Sequence, residues 1–314
     1  MSKRSMIVIS GLRRSGTTAL WECFRHSAAI AAFDEPFHPR LAAGDRSNPK
    51  GTWRELAAFF EEHPDIAPPP IDPLAELSSV SDDAQRDYLE QLGRANSHVA
   101  IDVVRCWNRL PALYSKQEDV LTVQLVRDPQ SWITGHLLPS GKGTWKKALA
   151  DRYRRASFFT RKGYFDNYHY ETIIAEALRQ DHRLWRAVTP SAAELAKAPA
   201  FIKLLAFWWG TNAVLRRALL AAGQPSVLTT LHDLSHDPGA VLQAIASAAG
   251  WDVEELRHDH ITGTRPSVGA ENPQWREAAR FLGIPEAIVR PGGAGAAALE
   301  AAFDAAATRL GEAA

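Results

Sequence analysis

Residues 6–18, MIVISGLRRSGTT, constrain the fold of this chain more than any other stretch, because they lead an apolar segment into a glycine-bounded basic turn. The unbroken apolar run over residues 6–9 predicts a buried parallel strand. Leu20, Cys23 and Phe24 recur at helical spacing and predict a helix directly after the turn. Backbone N–H groups of the turn and the positive end of that helix would then point at one place. The stretch therefore predicts an anion-binding loop.

The two glycines of this turn have the GxxxxG spacing of a phosphate-binding loop, but the lysine that follows in nucleoside-triphosphate enzymes is replaced by Thr17. The positive charges come instead from Arg13 and Arg14, whose guanidinium forks suit bidentate contacts with oxyanions. Thr17 and Thr18 can donate hydroxyl hydrogen bonds without a metal. The other interpretation, a glycine turn with two solvated arginines, does not explain why strand, spacing and threonine pair occur together. The candidate loop residues are Arg13, Arg14, Ser15, Gly16, Thr17 and Thr18.

Charge and cysteine content narrow the class of protein. Lysine plus arginine and aspartate plus glutamate are balanced at 36 each, which predicts no general attraction to nucleic acid or to anionic membranes. Two cysteines are too few for a disulfide framework, so a reducing cytoplasm is expected. The apolar run before Ser10 is far shorter than the ~20 residues of a membrane span.

Four further short apolar runs predict additional strands, which alternate with longer segments as in α/β proteins. The runs cover residues 30–33, 99–104, 120–126 and 226–231. A chain of 314 residues can bury a large core and lies near the size at which one domain stops growing. We therefore predict a single domain over residues 1–314 with a mostly parallel central sheet.

Three segments between the strands have a clear character. Apolar residues recur at helical spacing through residues 201–222, which predicts a helix whose aromatic residues belong to the core. Asp237 with Pro238, and then Gly250, predict the start and the end of a later helix. Residues 44–83 are polar and proline-rich, and we expect them to leave the core.

Two other segments are distinguished mainly by composition. Residues 136–200 are rich in arginine, lysine and aromatic residues, which suits either a surface that grips an anionic or sugar-like ligand or an exposed helical cover with snorkelling basic residues. For each residue taken alone, the exposed helical cover is the favoured interpretation. Residues 291–314 are predicted as an alanine-rich C-terminal tail.

Acidic and imidazole side chains follow the second predicted strand, in the sequence DEPFHP at residues 34–39. Ligands of open α/β sheets bind where strands end. Glu35 is therefore either a carboxylate that contacts a ligand or an ordinary solvated loop carboxylate, and its position alone leaves both interpretations open.

A second basic turn follows the fourth predicted strand, where Arg127, Asp128 and Pro129 lead into a predicted helix. Two basic turns at strand ends predict two anionic groups on one ligand. Residues 262–274 form a third candidate loop with Arg265 among glycines and hydroxyl residues; it either closes over a ligand or is a surface turn, and the surface turn is favoured.

With both basic turns, the chain resembles sulfotransferases that use 3′-phosphoadenosine-5′-phosphosulfate (PAPS). RSGTT at residues 14–18 resembles the variant of carbohydrate 6-O-sulfotransferases and tyrosylprotein sulfotransferases, and LVRDP at residues 125–129 resembles the second family motif. LHDLSHDP at residues 231–238 resembles a later strand and helix start of the family. Residues 44–95 and 136–200 match nothing in it.

The resemblance implies a P-loop NTPase-like three-layer α/β sandwich with helical insertions, PAPS as sulfuryl donor and no metal. It implies that the first turn binds the 5′-phosphosulfate and that Arg127 binds the 3′-phosphate, with help from Arg265. Glu35 follows Arg14 by 21 residues, the interval at which the related enzymes place their general base. The implied catalytic residues are thus Glu35 and Arg14. The acceptor would be a hydroxyl of a carbohydrate or small molecule, with residues 136–200 on the acceptor side.

The first departure from the family pattern concerns the second turn. The serine that assists the 3′-phosphate in the family lies eight residues after the arginine, which falls here on Gly135. Ser131 and Thr134 are the candidates to replace it.

The second departure concerns the third strand, which in the family often carries a lysine near the transferred group. Asp102 or Val103 stands there in this chain. The candidates for the missing positive charge are Arg14, Arg105 and His136.

Two rival functions remain to be separated from sulfuryl transfer. A P-loop kinase for a small molecule shares the fold but needs a lysine or equivalent and a Mg²⁺ site, and Thr17 argues against it. A non-catalytic nucleotide-binding module would make Glu35 incidental. The sequence sets neither the acceptor nor the oligomeric state.

Overall fold

The computed structural model describes residues 5–45, 51–115, 117, 119–137, 169–252, 256–261 and 273–312. The chain divides into two compact units. The first comprises Met1–Arg127, Leu215–Arg265 and Gly295–Glu300, and the second comprises Asp128–Val214, Pro266–Ala294 and Ala301–Ala314.

A parallel sheet forms the centre of the first unit. Its strands are β1 (Met6–Ser10), β2 (Ala31–Asp34), β3 (Val99–Asp102), β4 (Val120–Val126) and β5 (Ser226–Thr230). Their order is β2-β3-β1-β4-β5, and all four pairings of neighbouring strands are parallel. The carboxyl ends of the strands therefore share one edge, and β1 delivers its loop to the middle of that edge.

The helices of the described residues are numbered in chain order. They are α1 (Thr17–Arg25), α2 (Pro39–Ala42), α3 (Arg54–Glu62), α4 (Asp83–Gly93), α5 (Leu110–Leu113), α6 (Pro129–Leu137), α7 (His169–Arg179), α8 (Ala192–Lys197), α9 (Ala200–Ala221), α10 (Leu231–His236), α11 (Pro238–Ala249), α12 (Pro273–Leu282) and α13 (Ala296–Glu312). Short 3₁₀ helices occur at Pro73–Leu77, Arg183–Ala187 and Glu286–Val289.

Helices cover both faces of the sheet in the first unit. On one face, α1 and α11 bury Trp21 and Ile245 in a cluster with Ile9 of β1. On the other face, the ring of Phe33 on β2 lies 5.5 Å from that of Phe59 on α3. Tyr114, after α5, hydrogen-bonds Thr122 of β4 at 2.5 Å on the same side. The predicted fold class, an α/β three-layer sandwich with a parallel central sheet, is confirmed.

Each predicted strand is present, and β4 has the predicted bounds. The strand predicted over residues 99–104 is shorter, because the chain turns after Asp102 and the N–H of Cys106 donates to the carbonyl of Val103 at 3.3 Å. The predicted start of α11 is also observed: the Asp237 side chain accepts from the N–H of Ala240 at 2.9 Å. Gly250 ends this helix with a φ of 68°.

The proline-rich stretch predicted to leave the core contributes buried residues to the first unit. Phe60 of α3 stacks on Tyr88 of α4 with ring centroids 6.4 Å apart. In the following 3₁₀ helix, Glu76 is 2% exposed and accepts a 2.9 Å hydrogen bond from the indole of Trp107. Polar composition misled the prediction, because the few aromatic residues of the stretch are the ones that pack.

The second unit is helical in its described residues. The aromatic residues of α9 are buried there, and Trp208 and Trp209 pack at 5.7 Å and 5.1 Å from the ring of Phe303 on α13. The core role predicted for this helix is therefore observed. None of the helices in the described ranges is long and apolar enough to span a membrane.

Candidate functional site

The loop between β1 and α1 has the form expected of an anion-binding turn. The N–H of Ser15 donates to the carbonyl of Leu12 at 2.9 Å, which closes the turn before the helix. Arg14, at the tip, is exposed and has a φ of 65°. Gly16 precedes α1 with a φ of 97°. Successive residues of opposite backbone hand orient their N–H groups into a concave anion site.

Close packing explains why both of these loop positions are occupied by glycine. A Cβ on Gly11 would lie 2.5 Å from the carbonyl oxygen of Leu125 on β4 and 2.9 Å from Cγ2 of Thr17. A Cβ on Gly16 would lie 2.5 Å from Cδ1 of Leu231, the first residue of α10. The later motif at residues 231–238 therefore supports the loop by direct packing, a contact that the sequence did not reveal.

The two basic turns meet in the structure. β4 is the neighbour of β1, and Arg127 directly follows β4. Nη1 of Arg127 donates to the carbonyl of Arg14 at 3.0 Å. The second turn thus touches the tip of the first, as the prediction of a shared ligand requires.

Glu35 lies at the same edge of the sheet, immediately after β2. Its N–H donates to the carbonyl of Asp102 at 3.0 Å, and its φ is 43°. Its Oε2 lies 3.5 Å from Nε of Arg105, and within the described residues this buried oxygen accepts no hydrogen bond. Arg105, one of the earlier candidates for a positive charge, contacts Glu35.

Two of the three non-glycine residues with positive φ in the described ranges are the residues predicted to be catalytic. In the described part of the chain, the non-glycine residues with positive φ are Arg14, Glu35 and Asp181. Holding such a residue costs of order 1–3 kcal/mol and persists where the surroundings fix it, often at functional sites. Arg14 and Glu35 therefore have imposed backbone positions, which a solvated loop carboxylate would not need.

An acidic pair beside Glu35 was not foreseen. Asp34 and Asp102 are register partners at the ends of β2 and β3, and they are 4% and 0% exposed. The pKa of Asp102 is raised well above its ordinary value by burial and then by the carboxyl groups of Asp34 and Glu35, while the Thr17 hydroxyl opposes the shift. The signal in the sequence was an aspartate at the end of two predicted strands, but it becomes visible only once the strands are known to be neighbours.

Thr17 is buried at 3% exposure, so its hydroxyl lies against Asp102 inside the site rather than at the loop surface. Thr18 is half-buried. Ser131 lies in the second unit, where its N–H donates to Oδ1 of Asp128 at 2.8 Å near the start of α6. Thr134 and Gly135 follow in α6, but their side chains lie outside the described residues, as does Arg265 altogether.

The second unit contains a cavity of about 880 Å³ between α7, α8 and the start of α9. Its wall is mainly apolar, with the rings of His136 and Tyr170 4.6 Å apart and Lys203 among the charged residues. The volume is in the range of small-molecule sites.

Nothing in the described residues resembles a metal centre: they contain no cluster of three or more histidine, cysteine, aspartate or glutamate residues suited to a metal ion. The anion-binding groups of the candidate site are the loop N–H groups and arginines. These suit a polyanionic ligand that is bound by protein donors.

Comparisons with known proteins found no matching family model and no matching curated protein. Among solved structures, a sulfotransferase from Alicyclobacillus acidocaldarius is 14% identical, with 97% of each chain covered and a TM-score of 0.43. The sulfotransferase STF1 from Mycobacterium tuberculosis is 17% identical over 90% of this chain and 78% of that chain, also with a TM-score of 0.43. A sulfotransferase domain of the Synechococcus PCC 7002 olefin synthase is 14% identical over 98% and 93%, with a TM-score of 0.40. Similarity this low carries no conclusion about the activity of the present chain.

Proposed function

We propose that this protein transfers the sulfuryl group of PAPS to a hydroxyl of a carbohydrate or small-molecule natural product. The observation that carries the proposal is the meeting of the two basic turns, in which Arg127 touches the carbonyl of Arg14, at the sheet edge that also holds Glu35. A donor with a phosphosulfate at one end and a 3′-phosphate at the other requires two such cationic turns. The residue-level resemblance described above favours the same donor.

The loop residues fit the 5′ end of this donor. Backbone N–H groups of the loop, other than that of Ser15, and those at the start of α1 offer hydrogen bonds to phosphate and sulfonate oxygens. Arg13 and Arg14 add guanidinium donors, and Thr18 adds a hydroxyl. We assign Arg127 to the 3′-phosphate, with Ser131, Thr134 or Gly135 and Arg265 as the proposed further contacts. PAPS supplies a sulfuryl group already activated by its bond to phosphate, so the chain need only orient reactants and stabilise charge.

Glu35 is proposed as the general base that accepts the proton of the acceptor hydroxyl. The Glu35 side chain is 20% exposed although its Oε2 is buried towards Arg105, so part of the carboxylate remains open to a bound acceptor. Arg105, 3.5 Å away, holds the carboxylate and balances its charge. Arg14 at the loop tip would stabilise negative charge that builds up on the transferred group.

These observations give less support to the two rival functions. A kinase would need a cation at the position of Thr17, but this residue is buried against Asp102. A non-catalytic nucleotide-binding module gives no reason for the strained, partly buried Glu35 beside an arginine. We also place the protein in the cytoplasm, since both cysteines are buried free thiols, which suits a reducing compartment.

The donor assignment is tested by ligand-induced stabilisation. We expect 3′,5′-ADP, the product of PAPS, to raise the melting temperature, because a ligand that binds only the folded state stabilises it by about 2.7 kcal/mol at 100 times its Kd. ATP with Mg²⁺ should give a clearly smaller shift. Stabilisation by ATP with Mg²⁺ alone would reject the proposal in favour of a kinase. Mass spectrometry of candidate acceptors incubated with PAPS then tests for added SO₃.

The role of Arg127 is tested by removing its side chain. We expect Arg127→Ala to weaken 3′,5′-ADP binding by about tenfold or more, because a charge-assisted hydrogen bond contributes roughly 1.5–3 kcal/mol. Binding of 5′-AMP, which has no 3′-phosphate, should change much less. Isothermal titration calorimetry measures both ligands, with the exposed Arg94→Ala as control. Equal losses for the two nucleotides would show that Arg127 only supports the loop through the Arg14 carbonyl.

A further inference from the structure

The carboxyl groups of Asp34 and Asp102 lie side by side in the sheet edge under the candidate site. They are register partners on adjacent parallel strands, so their Cβ atoms are about 5 Å apart and point to the same face. They are 4% and 0% exposed, so both groups are removed from bulk solvent.

Two ionised carboxylates do not fit this environment. Neither oxygen of Asp102 accepts a hydrogen bond of good geometry from a donor in the described residues, although the Thr17 hydroxyl is near enough to favour the charged form. A buried charge without good donors is strongly disfavoured. A second carboxylate beside it makes ionisation of both groups harder still.

We propose that Asp34 and Asp102 hold one proton between them, and that this acid pair positions both the anion-binding loop and Glu35. The protonated group becomes a donor to the other carboxyl, which satisfies two acceptors at once. The proposal deepens the proposed function, because it assigns positioning residues to that site, but the protonation of the pair stands independently of the reaction.

Three contacts connect the pair to the site. The Asp102 side chain lies against Thr17, the first residue of α1, whose Cγ2 packs under Gly11. The Asp102 carbonyl accepts from the N–H of Glu35 at 3.0 Å and fixes its unusual backbone position. Displacing Asp102 would therefore move the loop and the proposed base together.

After burial, the groups that raise the pKa of Asp102 are two carboxyl groups. Asp34 on β2 and Glu35 just after it raise its pKa, and Thr17 on α1 is uncharged. Arg105, after β3, forms its ion pair with Glu35. Asp102 thus faces two acids, and both favour its protonated form.

The pair predicts how stability changes with pH. An unfolded aspartate loses its proton near pH 4, whereas the folded pKa of Asp102 is raised, so the folded chain binds one more proton above that pH. The stabilisation is complete below the unfolded pKa and is lost as pH rises towards the folded pKa. In this window the unfolding constant of the wild type should increase by up to about tenfold per pH unit relative to a variant without the acid.

The first experiment is urea unfolding between pH 5 and pH 8 of the wild type, Asp102→Asn, Asp34→Asn and the exposed control Asp65→Asn. We expect the ratio of unfolding constants, wild type to Asp102→Asn, to rise with pH, while Asp65→Asn stays parallel to the wild type. Asp34→Asn should narrow the pH range over which the unfolding constant rises, because this variant lacks one of the two acids that retain the proton. Parallel profiles for wild type and Asp102→Asn would overturn the shared proton, and a wild-type profile for Asp34→Asn would overturn its part in the pair.

The second experiment tests positioning with inorganic pyrophosphate as probe of the loop and 3′,5′-ADP as probe of the whole site. Asp102→Asn, which is neutral and can still donate, should keep both affinities within about threefold at pH 7. Asp102→Leu has similar size but no hydrogen bond, and should weaken pyrophosphate binding by about tenfold, the effect of roughly 1.4 kcal/mol. Equal affinity of the two variants, or loss of binding in Asp102→Asn, would overturn positioning by a protonated group.

The experiments distinguish a failure of the proposed PAPS donor from a failure of the proposed acid pair. If 3′,5′-ADP does not bind the wild type but the unfolding profiles separate as expected, the acid pair stands and the proposed donor is wrong. If Asp102→Leu does not fold, the loop role is decided by Asp102→Asn and Asp34→Asn, whose pyrophosphate affinities should stay close to that of the wild type. A loss of about tenfold or more in either would contradict the proposal.

Discussion

Replacing Glu35 with glutamine should lower turnover by about 10²–10⁴-fold, because general-base catalysis typically contributes that much and an amide cannot take the proton. Glutamine has nearly the same size, and the Glu35 side chain is 20% exposed, so the loop should keep its shape. The affinity for 3′,5′-ADP should therefore remain close to that of the wild type. The measurement is the rate of SO₃ addition to an acceptor found by mass spectrometry, together with calorimetric binding of 3′,5′-ADP.

Glu55→Gln provides a closely matched control for this variant. Glu55 is 22% exposed and is paired with Arg25 at 2.7 Å, whereas Glu35 is 20% exposed and is paired with Arg105; both arginines are 10% exposed. The control removes a similar ion pair between α1 and α3 and should leave turnover within about twofold, because such pairs contribute little. Similar turnover of Glu35→Gln and wild type would remove Glu35 from the role of base.

Substituting Gly11 by alanine should weaken anion binding and destabilise the fold. The new Cβ would meet the Leu125 carbonyl at 2.5 Å, and this backbone atom cannot move without disturbing β4. Overpacking of this kind typically costs 1–3 kcal/mol, and here the displaced segment is the loop itself. We expect a lower melting temperature and a loss of at least about tenfold in pyrophosphate affinity, where a tenfold loss corresponds to about 1.4 kcal/mol.

The control for this clash is Gly295→Ala. No heavy atom lies within 4 Å of a Cβ built on Gly295, and this glycine directly precedes α13 in the chain. The same change should therefore leave both the melting temperature and the pyrophosphate affinity nearly unchanged. Normal anion binding by Gly11→Ala would show that the loop can move away from β4, and that its rigid seat on this strand is not required.

The strand pattern was predictable because the central strands are buried on both faces and read as continuous apolar runs. Residues 120–126 are predicted and observed with the same bounds. The role of Glu35 was predictable only as one of two possibilities, a carboxylate that contacts a ligand or a solvated loop carboxylate. The sequence places Glu35 after a strand but does not show its strained backbone or its arginine partner. Arg105 was one of three candidates, and only the structure brings it to Glu35.

Contacts between distant parts of the chain escaped the sequence. The pairing of Asp34 with Asp102 depends on strand order, and the packing of Leu231 on Gly16 depends on where α10 begins. Neither leaves a local pattern, because each residue alone has an ordinary explanation. Composition was misleading for residues 44–83, whose mean polarity hides a few aromatic residues that decide the packing. Sequence reasoning therefore named candidate residues for the site but not the residues that support them.

The position of β1 in the sheet has a consequence for biosynthesis. β1 leaves the ribosome first, but its two neighbours, β3 and β4, begin at Val99 and Val120. A nascent chain that ends before these strands contains the whole glycine turn but lacks the two strands that flank β1 in the folded sheet. Assembly of this loop is thus a late event in the maturation of the polypeptide, because β1 is made long before the two strands that flank it.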